Sequence, residues 1–120
     1  MSDGSGWAVT EYRTPTGHSP VVAFVEGLKD RNERETLALI SALAARGNTL
    51  GEPRSKMVEP GLFELRGHQV RIFYIFLPGR RIVLLDGMIK KQDKIPAEVL
   101  ERMRRYRREI EAAEGKNRRS

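Results

Sequence analysis

The sequence contains no cysteine, so disulfide bonds and thiolate metal sites are both excluded. No apolar run approaches the roughly 18 residues of a membrane-spanning helix. The amino-terminal segment MSDGSGWAVTEY lacks the basic region and long apolar core of a secretory signal. Together these absences predict a cytoplasmic protein, since a chain without disulfide bonds does not depend on an oxidising compartment.

Several common catalytic motifs are also missing. The chain has no GxxxxGK[ST], no GxGxxG after a predicted strand, no HExxH and no His/Asp cluster with metal-ligand spacing. Glycosidase-like chemistry requires a pair of carboxylates. The apolar strands contain only Glu64 and Asp86 as candidates, and these do not form such a pair. We therefore expect no metal and no cofactor, and a metal-free reaction on a phosphodiester is the enzyme class that remains.

Positive charge is scarce in the first half of the chain and abundant in the second. Residues 1–53 carry five Lys or Arg against seven Asp or Glu, residues 54–95 carry nine against four, and residues 96–120 carry eight against five. The net charge is +6 and the isoelectric point is about 10.1. Because cationic side chains gain Coulomb energy near phosphates and release counterions, this balance favours a polyanionic partner.

The amino-terminal half is predicted to contain one strand and a helical hairpin. Residues 7–13 have the β-branched and aromatic content of a strand, and Ser19 before Pro20 is a favourable helix start. The first helix is expected to end near Asp30 and a second to span residues 32–46. Residues 47–60 are rich in Gly and Pro, which predicts a connection over the surface.

The carboxy-terminal half is predicted to contain three strands and a helix. Leu62–Arg66, Val70–Leu77 and residues 82–89 are apolar and separated by short turns, which predicts an antiparallel meander. A helix is expected from Pro96 to about Ala113. At 120 residues the chain forms a single domain, residues 1–120, with flexible ends at residues 1–6 and 114–120. The predicted class is α+β, in the order β-α-α-β-β-β-α, with the helical hairpin and the last helix packed on a mainly antiparallel twisted sheet.

Two strand arginines, Arg66 and Arg71, form the centre of the candidate site. If residues 67–70 form a short loop, the two side chains are direct cross-strand neighbours on one face of the sheet. Two adjacent guanidinium groups repel one another unless an anion bridges them or water screens them. A phosphate suits this position because each planar guanidinium binds its oxygens bidentately. The alternative is that both are independent solvated residues.

Further basic residues could converge on the same face. Lys90 and Lys91 follow the third strand, whose end can reach the arginines in a small twisted sheet, although adjacent lysines are often plain surface residues. His68 lies in the turn between the two arginines and could move protons, or it could be an ordinary turn residue. The residues that could line the rim of such a cleft are Arg54, Lys56 and Lys94.

The segment RMRRYRRE, residues 102–109, is the densest cluster of arginine in the chain. Glu98–Arg102, Glu101–Arg105 and Arg107–Glu111 are all spaced i, i+4, so much of this charge can be paired on a solvated helix face. A second surface that contacts RNA or the ribosome is the alternative.

The ordered motifs GLFELRGHQVRIFY and IVLLDGMIKKQDKIPAEVLERM resemble the RelE-like toxins of bacterial type II toxin–antitoxin systems. The chain is most similar to the HigB branch, which includes phage-derived Gp49-like proteins, over roughly residues 7–112. The resemblance implies the RelE-like fold and a ribosome-dependent endoribonuclease that cuts mRNA during translation. It also implies a cognate HigA-like helix-turn-helix antitoxin that inhibits the enzyme.

Carried over position by position, the resemblance assigns functional roles to the basic residues. Arg66 matches the arginine of the ELR strand, Arg71 that of the next strand, and Lys90-Lys91 the basic pair. Lys56 matches another basic position of the related toxins. Many RelE-like toxins carry a tyrosine or histidine after the basic pair, whereas QDKIPAEV has neither. The resemblance therefore leaves the proton-transfer residue unassigned.

Two other function classes remain open from the sequence. The same basic face could bind RNA or the ribosome without cleaving it. It could also dock an acidic protein partner, as in a phage-derived interaction module.

Overall fold

A computed structural model describes residues 6–119 of the chain. Its helices and strands are β1 (Ala8–Glu11), α1 (Pro20–Glu26), α2 (Asp30–Arg46), β2 (Ser55–Glu59), β3 (Leu62–Arg66), β4 (Val70–Leu77), β5 (Arg81–Ile89) and α3 (Ala97–Arg119), with a short 3₁₀ turn at Gly47–Thr49. None of the described helices is long and apolar enough to cross a membrane.

Most predicted elements agree with the structure, but the first helix ends at Glu26 and not near Asp30, where α2 begins, and two further predictions are wrong. The strands Leu62–Arg66 and Val70–Leu77 have the predicted bounds, and Ser19 caps α1 by accepting a hydrogen bond from the Val22 N–H. The prediction of a structureless connection over residues 47–60 is wrong, because Ser55–Glu59 pairs with β3 as an additional strand. Helix α3 continues through Arg119 and does not end near Ala113. Of the ends expected to be flexible, residues 1–5 and 120 lie outside the described residues.

The five strands form one mixed sheet in the order β1-β5-β4-β3-β2. Strands β2 to β5 are antiparallel neighbours, and β1 pairs with β5 in parallel. The helical hairpin follows β1, so the chain crosses from one edge of the sheet to the other before the antiparallel strands begin. The predicted α+β class with a mainly antiparallel sheet is confirmed.

The sheet separates two hydrophobic clusters. On one face, Leu39 and Leu43 of α2 and Val21 of α1 pack against residues that include Leu65 and Ile72. On the other face, a second set of side chains comprises Val99, Met103 and Tyr106 of α3 with Leu62, Phe73, Ile75 and Leu85 of the strands. The strands are buried on both faces, which explains why β4 reads as a continuous apolar run and not as an alternation.

A β-bulge in β5 changes which side chains face α3. Phe73 pairs with Asp86 but Tyr74 pairs with Leu84, so Leu85 has no residue opposite it on β4. An extra residue of this kind reverses the alternation beyond it. After the bulge, Asp86 pairs with Arg102 of α3, whereas Gly87 lies under Phe24 of α1.

Gly87 is required where α1 crosses β5. A Cβ atom on this residue would overlap the ring of Phe24 and lie 2.8 Å from the Ile72 Cδ1 atom. We predict that Gly87→Ala lowers the free energy of unfolding by about 1–3 kcal/mol, because a packed helix must move to admit the methyl group. Gly51→Ala is the matched control, since its Cβ meets nothing within 4 Å. Urea denaturation measures both, and equal stability of the two variants would contradict the prediction.

Candidate active site

A pocket of about 210 Å³ lies on the α3 face of the sheet. Its lining comes from β2, β3, β4, the end of β5 and the segment before α3. Its lining includes five cationic side chains and two carboxylates, namely Lys56, Arg66, Arg71, Lys90, Lys94, Glu64 and Asp93. Pockets that enclose a drug-sized ligand measure roughly 300–1,000 Å³. The size and charge of this one suit a single anionic group better than a whole buried ligand.

Strand register brings the two arginines together. Arg66 of β3 pairs directly with Arg71 of β4, as predicted from the short connection between them. Lys56 of β2 pairs with Glu64 of β3, and β-strand alternation puts Glu64 and Arg66 on the same face. Residues from three neighbouring strands therefore contribute to one small area of the sheet.

Glu64 lies between the two guanidinium groups. Its Oε2 atom is 3.6 Å from Arg66 Nε, and its Oε1 atom is 3.9 Å from Arg71 Nε. The carboxylate thus provides the negative charge that two neighbouring arginines require. Both distances exceed those of a normal charge-assisted hydrogen bond, which is about 2.7–2.9 Å.

Glu64 is buried, with 7% of its surface exposed. Its Oε1 atom has no hydrogen-bond partner among the described residues. Burial raises the pKa of the carboxyl group, and the positive charges of Arg71, Arg66, Lys56 and Lys90 oppose that shift. Glu64 therefore binds a proton at a higher pH than an ordinary glutamate does.

Arg71 is anchored by the backbone. Its Nη1 atom donates to the carbonyl oxygen of Gly67 at 2.7 Å and to that of Val70 at 2.9 Å. Only 6% of its surface is exposed, and burial lowers its pKa, with Glu64 opposing the shift. A guanidinium stays protonated at neutral pH despite such a shift. Arg71 is consequently a fixed buried cation that also stabilises the β3–β4 turn.

Arg66 is held less tightly than Arg71. Its side chain is 31% exposed, and besides Glu64 it approaches Glu52, with 4.0 Å between Arg66 Nη1 and Glu52 Oε1. Exposed ion pairs of this length contribute little to stability. Arg66 can therefore exchange these contacts for an anion at the pocket.

The end of β5 brings Lys90 to the pocket. Its backbone N–H donates to the carbonyl oxygen of Gln69, which ties the strand end to the β3–β4 turn. Its Nζ atom lies 3.9 Å from Asp93 Oδ1, and Lys94 completes this side of the lining. The bulge at Leu85 is what turns Lys90 towards the face that carries the arginines.

Three of the predicted site residues do not line the pocket. Lys91 is exposed and lies beyond the end of β5. His68 is exposed in the turn, where its backbone N–H donates to Glu35 Oε1 of α2 at 2.6 Å. Arg54 is exposed before β2, and its carbonyl oxygen accepts from the Arg66 N–H. The pocket thus unites Lys56, Arg66, Arg71, Lys90 and Lys94, and it leaves these three outside.

The arginines of α3 are largely engaged by carboxylates or rings. Arg107 pairs with Glu111 at 3.2 Å, which confirms that predicted pair. The two other predicted pairs are replaced: Arg102 lies 3.6 Å from Asp86, and the Arg105 guanidinium lies over the Tyr106 ring. Arg104 binds both oxygens of Glu59. Arg102 and Arg104 thus bind carboxylates of the sheet.

Sequence reasoning missed the position of Glu64. As half of a carboxylate pair this residue has no suitable partner on the strands, and no catalytic motif of the sequence includes it. Its alternation with Arg66 indicates that the two share a face, but burial depends on β2, which the sequence did not predict. The signal available in the sequence was an acid on the same strand face as two cations.

The fold and the pocket define a small α+β protein with a basic cleft on one sheet face. Residues 23–113 match the family model described as phage derived protein Gp49-like, and the chain belongs to that family. This confirms the resemblance to the Gp49-like branch. A chain in the crystal structure of the toxin–antitoxin complex RelBE2 from Mycobacterium tuberculosis matches with a TM-score of 0.45 and 17% identity, over 72% of this chain and 94% of that chain. No curated protein matches the chain.

The two arginines are expected to differ in their effect on stability. Arg71→Ala removes two hydrogen bonds to carbonyl groups and a cation beside a buried carboxylate, so we predict a loss of about 2–4 kcal/mol of unfolding free energy. Arg66→Ala removes an exposed contact to Glu52 and a long contact to the buried Glu64, neither of them a close hydrogen bond, and is predicted to cost about 1 kcal/mol or less. Urea denaturation at neutral pH measures the difference, and equal losses would mean that Arg71 does not anchor the turn.

Proposed function

We propose that this protein is the toxin of a type II toxin–antitoxin system and acts as a ribosome-dependent endoribonuclease on mRNA. The observation that supports this most is the convergence of five cationic side chains, from three strands and the segment after β5, on one small pocket. The family membership and the resemblance of the strand motifs to RelE-like toxins point in the same direction.

The chemistry that suits such a pocket is metal-independent cleavage of RNA. The RNA supplies its own nucleophile, because the 2′-hydroxyl can attack the adjacent phosphorus in line with the P–O5′ bond. Cleavage yields a 2′,3′-cyclic phosphate and a free 5′-hydroxyl. The protein must then orient the linkage and stabilise the charge that develops on the phosphoryl oxygens.

Each lining residue is assigned one of these tasks according to its position in the pocket and its exposure. Arg66 and Arg71, adjacent across β3 and β4, bind the two non-bridging oxygens of the scissile phosphate. Lys90 stabilises the added charge and protonates the departing 5′ oxygen. Lys56 and Lys94, both exposed, bind the flanking phosphates of the RNA.

A protein partner follows from the same proposal. A toxin of this class requires a cognate antitoxin, and the sequence resemblance implies a helix-turn-helix protein. The corresponding experiment is to express the adjacent reading frame with this chain and purify the pair. Suppression of growth arrest by a helix-turn-helix product that co-purifies with the chain would support this partner.

Lys90 and Lys91 offer a matched pair of substitutions for testing the site. Because Lys90 lines the pocket and Lys91 does not, we predict that Lys90→Ala lowers the rate of mRNA cleavage by about 100-fold, by analogy with the loss of one oxyanion donor. Lys91→Ala should cleave at a rate close to that of the parent protein. Mapping of mRNA 5′ ends on programmed ribosomes measures both rates, after thermal denaturation has established that both variants fold.

The same mapping separates cleavage from binding alone. Cuts that recur at defined codons with the parent protein support the nuclease, whereas unchanged mRNA ends together with ribosome binding would indicate a non-catalytic RNA-binding module. Equal loss of cleavage in Lys90→Ala and Lys91→Ala would contradict the proposed pocket while leaving the nuclease activity itself in place.

A further inference from the structure

The carboxylate at the bottom of the basic pocket calls for an explanation of its own. An acid in an anion-binding site opposes the binding of phosphate, since like charges repel. Glu64 nevertheless lines the pocket, with 7% of its surface exposed and with Oε1 lacking a hydrogen-bond partner among the described residues. Buried polar atoms of this kind are uncommon in proteins and often mark a functional group.

A purely structural role as counter-ion explains the position only in part. Two other arginine–carboxylate pairs of this chain have short contacts, although Arg102 and Asp86 are 3.6 Å apart. Arg81 reaches the two Glu114 oxygens at 3.1 and 2.6 Å, and Arg104 lies 2.7 Å from Glu59 Oε1. The gaps of 3.6 and 3.9 Å around Glu64 are long by comparison. The carboxylate compensates the arginines electrostatically without a close hydrogen bond to either of them.

We propose that Glu64 is the general base of the RNA cleavage reaction, which takes the proton of the attacking 2′-hydroxyl. This inference rests on the proposed nuclease function. A phosphate held by Arg66 and Arg71 lies next to Glu64, because the carboxylate is already within 4 Å of both guanidinium groups. The 2′-hydroxyl of the same nucleotide is adjacent to that phosphate, so it lies beside the Glu64 side chain, which lines the pocket.

The reaction balances with residues of the pocket. The Glu64 carboxylate accepts the 2′-hydroxyl proton while the 2′ oxygen forms a bond to phosphorus. The P–O5′ bond breaks, and the 5′ oxygen leaves with a proton from the Lys90 ammonium group. Glu64 ends protonated and Lys90 neutral, and exchange with water restores both. Burial raises the pKa of this carboxyl group, which makes it a better proton acceptor, and the charges of Arg71, Arg66, Lys56 and Lys90 oppose that shift.

The Glu64→Gln variant keeps the shape of the side chain and removes its basicity. We predict that cleavage of a ribosome-bound mRNA falls by about 100-fold or more, the usual contribution of a general base. Binding of a short RNA should stay equal or become tighter, because a negative charge leaves the pocket. Cleavage at the parental rate, or a loss of RNA binding that matches the loss of cleavage, would overturn the assignment.

Two further variants distinguish the loss of a general base from the loss of folding. Asp86→Asn is the matched control, because Asp86 is also a largely buried carboxylate with a raised pKa near an arginine, but it does not line the pocket. It should cleave like the parent protein. Glu64→Asp keeps the charge that Arg66 and Arg71 require and withdraws the carboxylate by one methylene. It should fold and lose about tenfold or more in rate through misplacement, and a parental rate would count against the proposal.

A modified RNA separates the base from the acid. With sulfur in place of the bridging 5′ oxygen, the leaving group departs as a thiolate and needs no proton. The deficit of Glu64→Gln should persist on this substrate, whereas that of Lys90→Ala should shrink. Disappearance of the Glu64→Gln deficit would make Glu64 the acid and overturn the proposal.

If the parent protein produces no cuts at all, the nuclease function is refuted together with the general base. Cutting by Glu64→Gln at the parental rate refutes the general base alone.

Discussion

The pairing of Arg66 with Arg71 across β3 and β4 is the interaction on which the rest of the site depends. Two guanidinium groups at this separation need negative charge between them, and the fold supplies it from Glu64 on the same strand. One of the cations is fixed by backbone carbonyls and the other is partly exposed. The charges of this cluster are balanced, but its contacts are long, so a phosphate can replace some of the carboxylate contacts of the arginines.

Apolar packing on both faces of the sheet maintains this arrangement. The register of β3 and β4 cannot shift by one residue without moving Leu65 and Ile72 out of the cluster under α1 and α2. The same shift would move Leu62 and Phe73 away from α3. The position of the charged cluster is therefore determined by hydrophobic burial elsewhere in the strands. This explains how a fold can keep two like charges adjacent.

The carboxy-terminal half of the sequence was the more predictable part. The apolar runs and the turn residues predicted the bounds of β3 and β4, and these bounds predicted the Arg66–Arg71 pair. Strand β2 was not predicted because Gly51 and Pro53 dominate the segment before it and Ser55 is the one buried residue of the strand itself. Its pairing with β3 brings Lys56 opposite Glu64 and contributes to the burial of the carboxylate. A short edge strand of this kind is specified by its neighbour more than by its own residues.

The sequence by itself determined the charge imbalance, the α+β class, the family and the cross-strand arginines, because these depend on composition, local periodicity and short connections. Tertiary structure decided which of two adjacent lysines belongs to the pocket. Strict alternation from Ile82 onwards would turn Lys90 to the face of α1 and α2, and the unpaired Leu85 reverses that outcome. It also decided that Glu64 is buried, whereas His68 and Arg54 are not. A bulge and an added edge strand are set by contacts between distant segments, and no local pattern in the chain encodes them.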